Sequence, residues 1–416
     1  MMHIFVHYHL RLGGVTRVMQ QQTSAFAQMN QTFVTISAGP AYSVTGEHRI
    51  LPSLDYSHPS SLDLSKEALL SLVRDLPQPH IWHFHNPTLG CHPRMSELIE
   101  EMARAGERMI LHLHDFAEDQ RPQNLQGLSL GPPWFPCGDH IHYIVLTQRD
   151  RKILMDAGLN PDQVTLLGNP IISQPLPQPD KPNALVLYPT RAINRKNIGE
   201  MLLLSALSPA GTRFATTLGP GKSLHQSDYS LWQELAKSME LPVSWAITED
   251  PAKPLSFSDA IASCTHLLST ATQEGFGMAF IESIAWQRPL FGRAIPHIQE
   301  NLYHYGIVHP NLYDRIEVNG IDFARQTAFR QQELILLALK NPLQATITQG
   351  NNSYPARDWL EITLHDRHPP PITLIKSFHP ILHAETLLSI SASLAHATCD
   401  SISHLDATII QRAFSA

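Results

Sequence analysis

Cysteine is scarce in this sequence: 416 residues hold four, Cys91, Cys137, Cys264 and Cys399, and no two form a CxxC pair. That excludes a disulfide framework and a cysteine-built zinc knot, and makes a reducing compartment the expectation. Charge is sparse too, at 16%, and 30 Lys and Arg are outnumbered by 37 Asp and Glu for a net charge of -7. A general nucleic-acid binder carries a basic excess, so that class is set aside. A local pair of cations can still hold a small anion inside an acidic chain. No apolar run approaches the ~20 residues of a membrane span. The strand-like run Ile4 to Tyr8 comes with no basic stretch leading into a long apolar one, so no secretory signal is read. The expectation is a cytoplasmic protein without a transmembrane segment, with peripheral membrane contact left open. Internal repeats and low-complexity tracts are absent as well.

What is present suits two globular domains. Hydrophobic residues make up 43% of the chain, enough for packed cores at a length that exceeds one ordinary domain. Short β-branched or apolar runs alternate with helical patterns: Ile4 to Val6, Phe33 to Ile36, Ile81 to His85, Met109 to His114, Tyr143 to Thr147 and Val164 to Leu167. Such alternation implies crossover units on a mainly parallel sheet. A Pro- and Gln-rich stretch, SQPLPQPDKP from Ser173 to Pro182, reads as a linker because proline removes donors and stiffens the chain. The alternation then restarts at Ala184 to Tyr188 and continues through Phe214 to Leu218, Val243 to Ile247, His266 to Ser269 and Pro289 to Phe291. The fold class is therefore α/β, with two Rossmann-like, doubly wound domains: 1–173, a linker 174–183, and 184–383. A helical segment, 384–416, is expected to pack back on the first domain. Residues 301–380 carry no clear period. Ligands of such sheets sit beyond the carboxyl ends of the strands, which puts a shared cleft between two facing sheets.

The residues that carry chemistry cluster at those strand ends. Glu274-Gly275-Phe276-Gly277-Met278-Ala279-Phe280-Ile281-Glu282 follows the His266 to Ser269 strand, and a helix is predicted to start near Met278. Glycines let a ligand approach the backbone, and a helix start offers unpaired N–H groups and partial positive charge, which suits a diphosphate. The plainer reading is a strand–turn–helix junction with two solvated glutamates. Arg191 and Lys196 sit just after the strand ending at Tyr188. A guanidinium fork and an ammonium point charge can neutralise a diphosphate, although a basic pair at a strand end is often only surface charge. Arg195 could share or replace the part played by Lys196. Gly13-Gly14 follows the first strand, and His114-Asp115 ends the Met109 to His114 strand. A turn explains the glycines nearly as well as function, and Asp115 reads equally as a cap.

Taken together these motifs resemble the retaining glycosyltransferases of family 4, which have the two-domain GT-B fold. The Glu274 and Glu282 pair, seven residues between them and Gly-Phe-Gly after the first, matches that family's signature. The resemblance implies a retaining transfer of a sugar from a nucleoside-diphosphate sugar (UDP-, GDP- or ADP-) to a hydroxyl of a small-molecule or glycan acceptor. By it, Glu274 contacts the donor sugar, Glu282 the ribose hydroxyls, and Gly275, Phe276 and Gly277 present amides to the sugar and its phosphates. Arg191 and Lys196 stabilise the departing diphosphate, Gly13 and Gly14 lie near the donor phosphates, His114 lies near the transferred sugar, and Asp115 binds the acceptor or orients His114. No cofactor and no metal ion are required. Two departures stand out. Asn169-Pro170 replaces an Asn-Gly segment, and the double glycine expected before Glu300 is missing from Ala294-Ile295-Pro296-His297-Ile298-Gln299. The resemblance spans 1–300 in outline and is sharpest over 188–300.

The 24 histidines need separate comment. His7-x-His9, His83-x-His85, His112-x-His114 and His140-x-His142 each put two imidazoles on one strand face. Strand-borne HxH pairs also hold zinc in metal-dependent hydrolases, so an amidohydrolase-like enzyme is a rival reading, though no further His and Asp ligand set stands out. The favoured expectation is that several of these histidines line the first domain's half of the cleft and hydrogen-bond the acceptor, the rest being satisfied core groups. Two other rivals keep the fold: a GT-B sugar-nucleotide epimerase and a non-catalytic nucleotide-sugar-binding protein.

Overall fold

The computed structural model describes residues 1–11, 13–39, 44–119, 121, 124–126, 134–177, 179, 184–221, 225–250, 255–399 and 401–415. They divide into two compact units, Met1–Ile172 with Ser377–Ala416, and Ser173–Lys376.

The first unit is built on β1 (Met2–Val6), α1 (Gly14–Gln28), β2 (Phe33–Ser37), β3 (Glu47–Ile50), β4 (His80–His85), α2 (Met95–Arg104), β5 (Met109–Leu113), β6 (Ile141–Val145), α3 (Gln148–Asp156) and β7 (Val164–Leu166). The seven strands pair in the order β3-β2-β1-β4-β5-β6-β7, every pair parallel. Successive side chains of a strand point to opposite faces, and the two faces of this sheet differ in chemistry. Ile4, Val6, Trp82, Phe84, Leu111 and Tyr143 join an apolar core with Leu98, Met102 and Leu154 of α2 and α3. The opposite face sets Phe5, Ile81, Ile110 and Ile144 among histidines, and is covered by Met19 and Phe26 of α1 and Ala384, Leu387 and Ile390 of the helix Pro380–Ala395.

That last helix corrects a boundary. The expected division between 383 and 384 falls inside it, whereas the chain rejoins the first unit at Ser377. The helix starts earlier because Pro380 occupies its first turn and the His379 side chain accepts the N–H of Ile381, a cap that periodicity alone does not register.

The second unit repeats the design with β8 (Leu185–Arg191), α4 (Ile198–Leu207), β9 (Arg213–Leu218), α5 (Gln226–Ser238), β10 (Val243–Ser244), β11 (His266–Ser269), α6 (Met278–Ala285), β12 (Leu290–Arg293), α7 (Pro296–His304) and β13 (Asn311–Tyr313). Its six strands lie in the order β10-β9-β8-β11-β12-β13, again parallel. The stretch left unassigned from sequence holds a small antiparallel sheet of β14 (Arg315–Val318), β15 (Ile321–Asp322), β16 (Ala345–Gln349) and β17 (Asn352–Pro355), with α8 (Ala328–Lys340) and α9 (Ala356–His365) beside it. Its core residues Ile316, Ile347, Leu334 and Leu360 join the apolar side chains of α4, so α4 is covered on both sides.

The expected linker is anchored where it is described. Gln174 and Leu176 donate N–H bonds to the carbonyls of Ala285 and Trp286 at 2.9 and 3.3 Å. Arg288, fully buried, donates to the carbonyls of Leu176 and Pro177 at 2.9 and 2.7 Å. Residues 174–177 therefore belong to the second unit; positions 178 and 180–183 lie outside the described residues.

Candidate active site

Two strand ends of the second unit are laced together before any charge is considered. After β8 the chain makes a single turn at Asn194–Lys196, and Asn197, at φ 49°, caps it and opens α4. The side chain of Asn197 is held by Glu200 at 2.9 Å and Gln331 at 3.2 Å. From the loop after β11, Thr270 donates its hydroxyl to the carbonyls of Lys196 and Asn197, both at 3.0 Å, and the Thr272 N–H donates to the Arg195 carbonyl at 2.9 Å. The Tyr188 hydroxyl bonds the Lys196 carbonyl at 3.0 Å. With both loops pinned, the side chains they carry meet at fixed positions.

They meet on Glu274. Its carboxylate accepts from Lys196 Nζ and from Arg195 Nη1, the latter at 3.1 Å. Arg195 also donates to the Gln273 carbonyl at 3.0 Å, and the His297 ring bonds the Glu274 carbonyl at 2.8 Å. Burial alone would push this carboxyl up; the two cations outweigh it and hold the group below its ordinary range. Two cations share one carboxylate, so these three side chains carry a net positive charge in a partly buried setting. That is an electrostatic seat for an anion.

The backbone beside it adds to the same field. Gly277 sits at φ 74° and caps α6, and a Cβ there would lie 2.7 Å from Ile298 Cγ2 and 2.9 Å from Phe280 Cδ2. Only glycine fits, and α6 then presents its first-turn N–H groups. Phe276 is buried in the loop and Glu282 is buried on α6. A buried ion pair stiffens this half from behind: Glu200 accepts from Arg293 Nε and Nη2 at 3.0 and 2.5 Å and from the Tyr313 hydroxyl at 2.7 Å.

Arg191 lies elsewhere. Its guanidinium is 3.4 Å from the Gly219 carbonyl and 4.0 Å from Glu249, whose other oxygen accepts the Gly219 N–H at 2.8 Å. A Cβ on Gly221 would come within 2.5 Å of Arg191. Of the basic residues after β8, it is Arg195 that joins Lys196 on Glu274. Where the double glycine is missing, Pro296 begins α7 instead, and Glu300 rides exposed on that helix.

The remaining expected residues belong to the first unit. His114 follows β5, is buried, and is pushed down to about 3 by that burial, so its imidazole is neutral near pH 7. Asn86 fixes this strand end by accepting the N–H groups of His114 and Asp115 on its Oδ1 at 2.6 and 3.1 Å. Asp115 pairs with Arg121 at 2.6 Å. Gly13 and Gly14 are exposed at the start of α1, Gly13 in extended backbone, and a Cβ on Gly14 would meet nothing within 4 Å. Of the HxH histidines, His83, His85 and His112 are buried under α1 and the Pro380–Ala395 helix, as core groups, whereas His9 and His142 are partly exposed. Sequence reasoning passed over His297, Glu249 and Asn86. The His297 position was in view, in the stretch that lacks the expected double glycine; nothing in sequence marks the other two.

Comparison with known proteins bears on this frame. No family model matches the chain. Mannosylglucosyl-3-phosphoglycerate synthase of Petrotoga mobilis is 24% identical over 354 residues, 75% of this chain and 68% of that protein. Among solved structures, sucrose-phosphate synthase of Thermosynechococcus elongatus superimposes with a TM-score of 0.62 at 14% identity, covering 94% of this chain and 98% of that one. HepE of Anabaena, solved with UDP-glucose, gives a TM-score of 0.59 at 12% identity over 94% and 99% of the two chains. The fold is GT-B, two Rossmann-like domains. The sequence relative and the structural neighbours are all glycosyltransferases, and HepE among them holds a nucleotide sugar.

Proposed function

We propose that the protein transfers a sugar from a nucleoside diphosphate to an acceptor hydroxyl with retention of anomeric configuration. The observation that carries this reading is the convergence of Lys196 and Arg195 on Glu274 beside the helix that Gly277 opens. As the donor's glycosidic bond breaks, negative charge builds on the leaving diphosphate. In this reading Lys196, Arg195 and the first-turn amides of α6 stabilise that charge, with Arg191 contributing from its place beside Gly219. Glu274 then exchanges part of its ion pairing for the hydroxyls of the donor sugar, and Glu282 takes the ribose. Amides of Gly275, Phe276 and Gly277 face the phosphates, and Gly13 and Gly14 leave bare backbone for the donor at the first unit. His114, neutral, offers the reacting sugar a hydrogen bond, and Asp115 with Arg121 faces the acceptor. No metal takes part in this scheme.

UDP-glucose in the HepE structure makes UDP the first donor nucleotide to test. The name of the Petrotoga relative makes a phosphorylated, carboxylated glycoside the first acceptor to try. The reading is tested by a thermal-shift panel of UDP, GDP and ADP and their sugars, followed by NMR of the product's anomeric centre. A ligand at 100 Kd stabilises by about 2.7 kcal/mol. If no nucleoside diphosphate raises Tm, the donor assignment fails; an inverted product removes retention alone.

A further inference from the structure

The histidines of the first unit remain outside that scheme. On the sheet face under α1 and the Pro380–Ala395 helix, His85 of β4 stands opposite His112 of β5 in register, and His83 precedes His85 on the same face. The three are 2%, 2% and 0% exposed, and one ring nitrogen from each lies within 4.8 Å of the others. His83 and His112 rings stack at 5.5 Å, those of His85 and His112 lie 5.1 Å apart, and His383 closes the group from the helix at 6.0 Å from His112.

Hydrogen bonding singles the group out. His85 Nε2, His112 Nε2 and both ring nitrogens of His383 are buried without a protein partner. Buried polar atoms in folded proteins are nearly always partnered by protein, water or an ion, so four such nitrogens in one place call for an occupant. The other nitrogens are engaged: His85 Nδ1 lies 2.8 Å from His114 Nε2, and His112 Nδ1 lies 3.3 Å from His83 Nε2. A neutral imidazole has one N–H and one lone pair. If Nδ1–H donates in each of these contacts, the Nε2 lone pairs of His85 and His112 are both bare. A ring fixed through one nitrogen and open at the other is how proteins prepare a metal-ligating histidine.

We propose that His83, His85 and His112 form a binding site for a borderline transition-metal dication, zinc foremost, that ties β4 to β5 inside the first unit. Imidazole donors suit zinc, copper, nickel and cobalt, and the absence of any carboxylate from the trio disfavours magnesium and calcium. Three protein nitrogens leave one position of a tetrahedron for a solvent-derived ligand, and a hydroxide there lowers the charge buried among neutral rings. His83 exchanges its contact with His112 for the ion, and His114 acts as hydrogen-bond partner of a ligand. The site is independent of the transferase reading, because none of its three ligands is assigned to the donor or the acceptor.

The test uses the whole purified chain, stripped with a chelator and titrated with Co²⁺ in the absence of nucleotide. The expected result is a set of visible ligand-field bands typical of four-coordinate cobalt, saturating at about one ion per chain. Zn²⁺ displaces the cobalt, and either metal raises Tm by roughly 5 °C at saturation. His85→Gln and His112→Gln abolish the bands, whereas His142→Gln, on the neighbouring strand, retains them. Wild-type protein that shows neither bands nor a Tm shift overturns the proposal without any variant having to fold, and so do bands that survive in both the His85 and His112 variants. Nucleotide binding is read separately, so failure of the metal site leaves the transferase reading untouched.

Discussion

The two units share a parallel α/β design, and one titratable cluster in each is settled in the opposite way. In the second unit charges close on one another: Lys196 and Arg195 on Glu274, Arg293 on Glu200. In the first, His7, His114 and His383 are held to about 3 by burial and carry no charge near neutrality. Position in the fold explains the difference. The Glu274 cluster occupies loops beyond strand ends, where partial exposure makes a net charge tolerable and useful to an anion. The histidines occupy a sheet face between strand and helix, where a charge would be costly and only neutral nitrogen survives. Opposite solutions on one architecture mean that removing a charge in the second unit should show in catalysis, and perturbing the first unit should show in stability or metal content.

The largest effect is expected from Lys196→Ala, which should lower kcat by about 10²- to 10³-fold, the range for loss of one preorganised group facing developing charge. Arg195→Ala and Arg191→Ala refine this. If contact with Glu274 marks the working cation, the Arg195 change costs more; steady-state kinetics with a UDP-sugar at saturating acceptor rank the three. A change of less than about threefold in all of them, against the 10²-fold scale expected for such groups, would dissolve the contrast between the units. Glu282→Ala should instead weaken nucleotide affinity, read by titration calorimetry with UDP.

Next comes Gly277→Ala. The left-handed backbone and the close approach of Ile298 and Phe280 should together cost about 2 kcal/mol, read as a lowered denaturation midpoint with unchanged slope. A midpoint equal to wild type would mean the loop relaxes freely and the pinned geometry argued for Glu274 is wrong.

Acid should act through buried histidines in the second unit too. In the second unit His266 and His309 donate to backbone carbonyls at 3.0 and 2.9 Å, and burial lowers each from 6.5 to about 4. For a base with a depressed folded pKa, the unfolded chain binds the extra proton. Stability is therefore full above 6.5 and falls as pH drops through that value, levelling off near 4. The slope is on the order of 1.4 kcal/mol per pH unit for each such group. His309→Gln should flatten the pH dependence of Tm between those limits; an unaltered slope would show that the carbonyl-bound histidines do not govern acid sensitivity.

Much of this was legible beforehand, for identifiable reasons. Strand–helix alternation and the EGFG turn survive as β11, the loop and α6 because apolar period and glycine are local signals. The spacing of Arg191 and Lys196 was readable, but which cation reaches Glu274 was not: the single turn at Asn194–Lys196 brings Arg195 into that contact, and Arg191 turns toward Gly219. The antiparallel sheet at 315–355 escaped because its strands are two to five residues long, too short for a period to register. The HxH spacing correctly implied one sheet face for His83 and His85, and said nothing of the helices that bury it, since Pro380–Ala395 arrives from the far end of the chain. His297 and Asn86 act on backbone atoms of distant segments, a relation no local pattern encodes.

The smallest expected effect carries the sharpest contrast between the units. Gly14 stands at the start of α1 with open space around it, so Gly14→Ala meets no clash and gains helix propensity. Its stability should lie within about 0.5 kcal/mol of wild type, unlike that of Gly277→Ala. If bare backbone at Gly13 and Gly14 serves a donor rather than a turn, the same methyl should still weaken UDP-sugar binding, by about fivefold for a cost near 1 kcal/mol. Thermal unfolding and a binding titration on one sample separate the readings. Unchanged Tm with weakened binding assigns the glycines to the ligand. Unchanged Tm with unchanged binding returns them to the turn, and leaves donor recognition to the second unit alone.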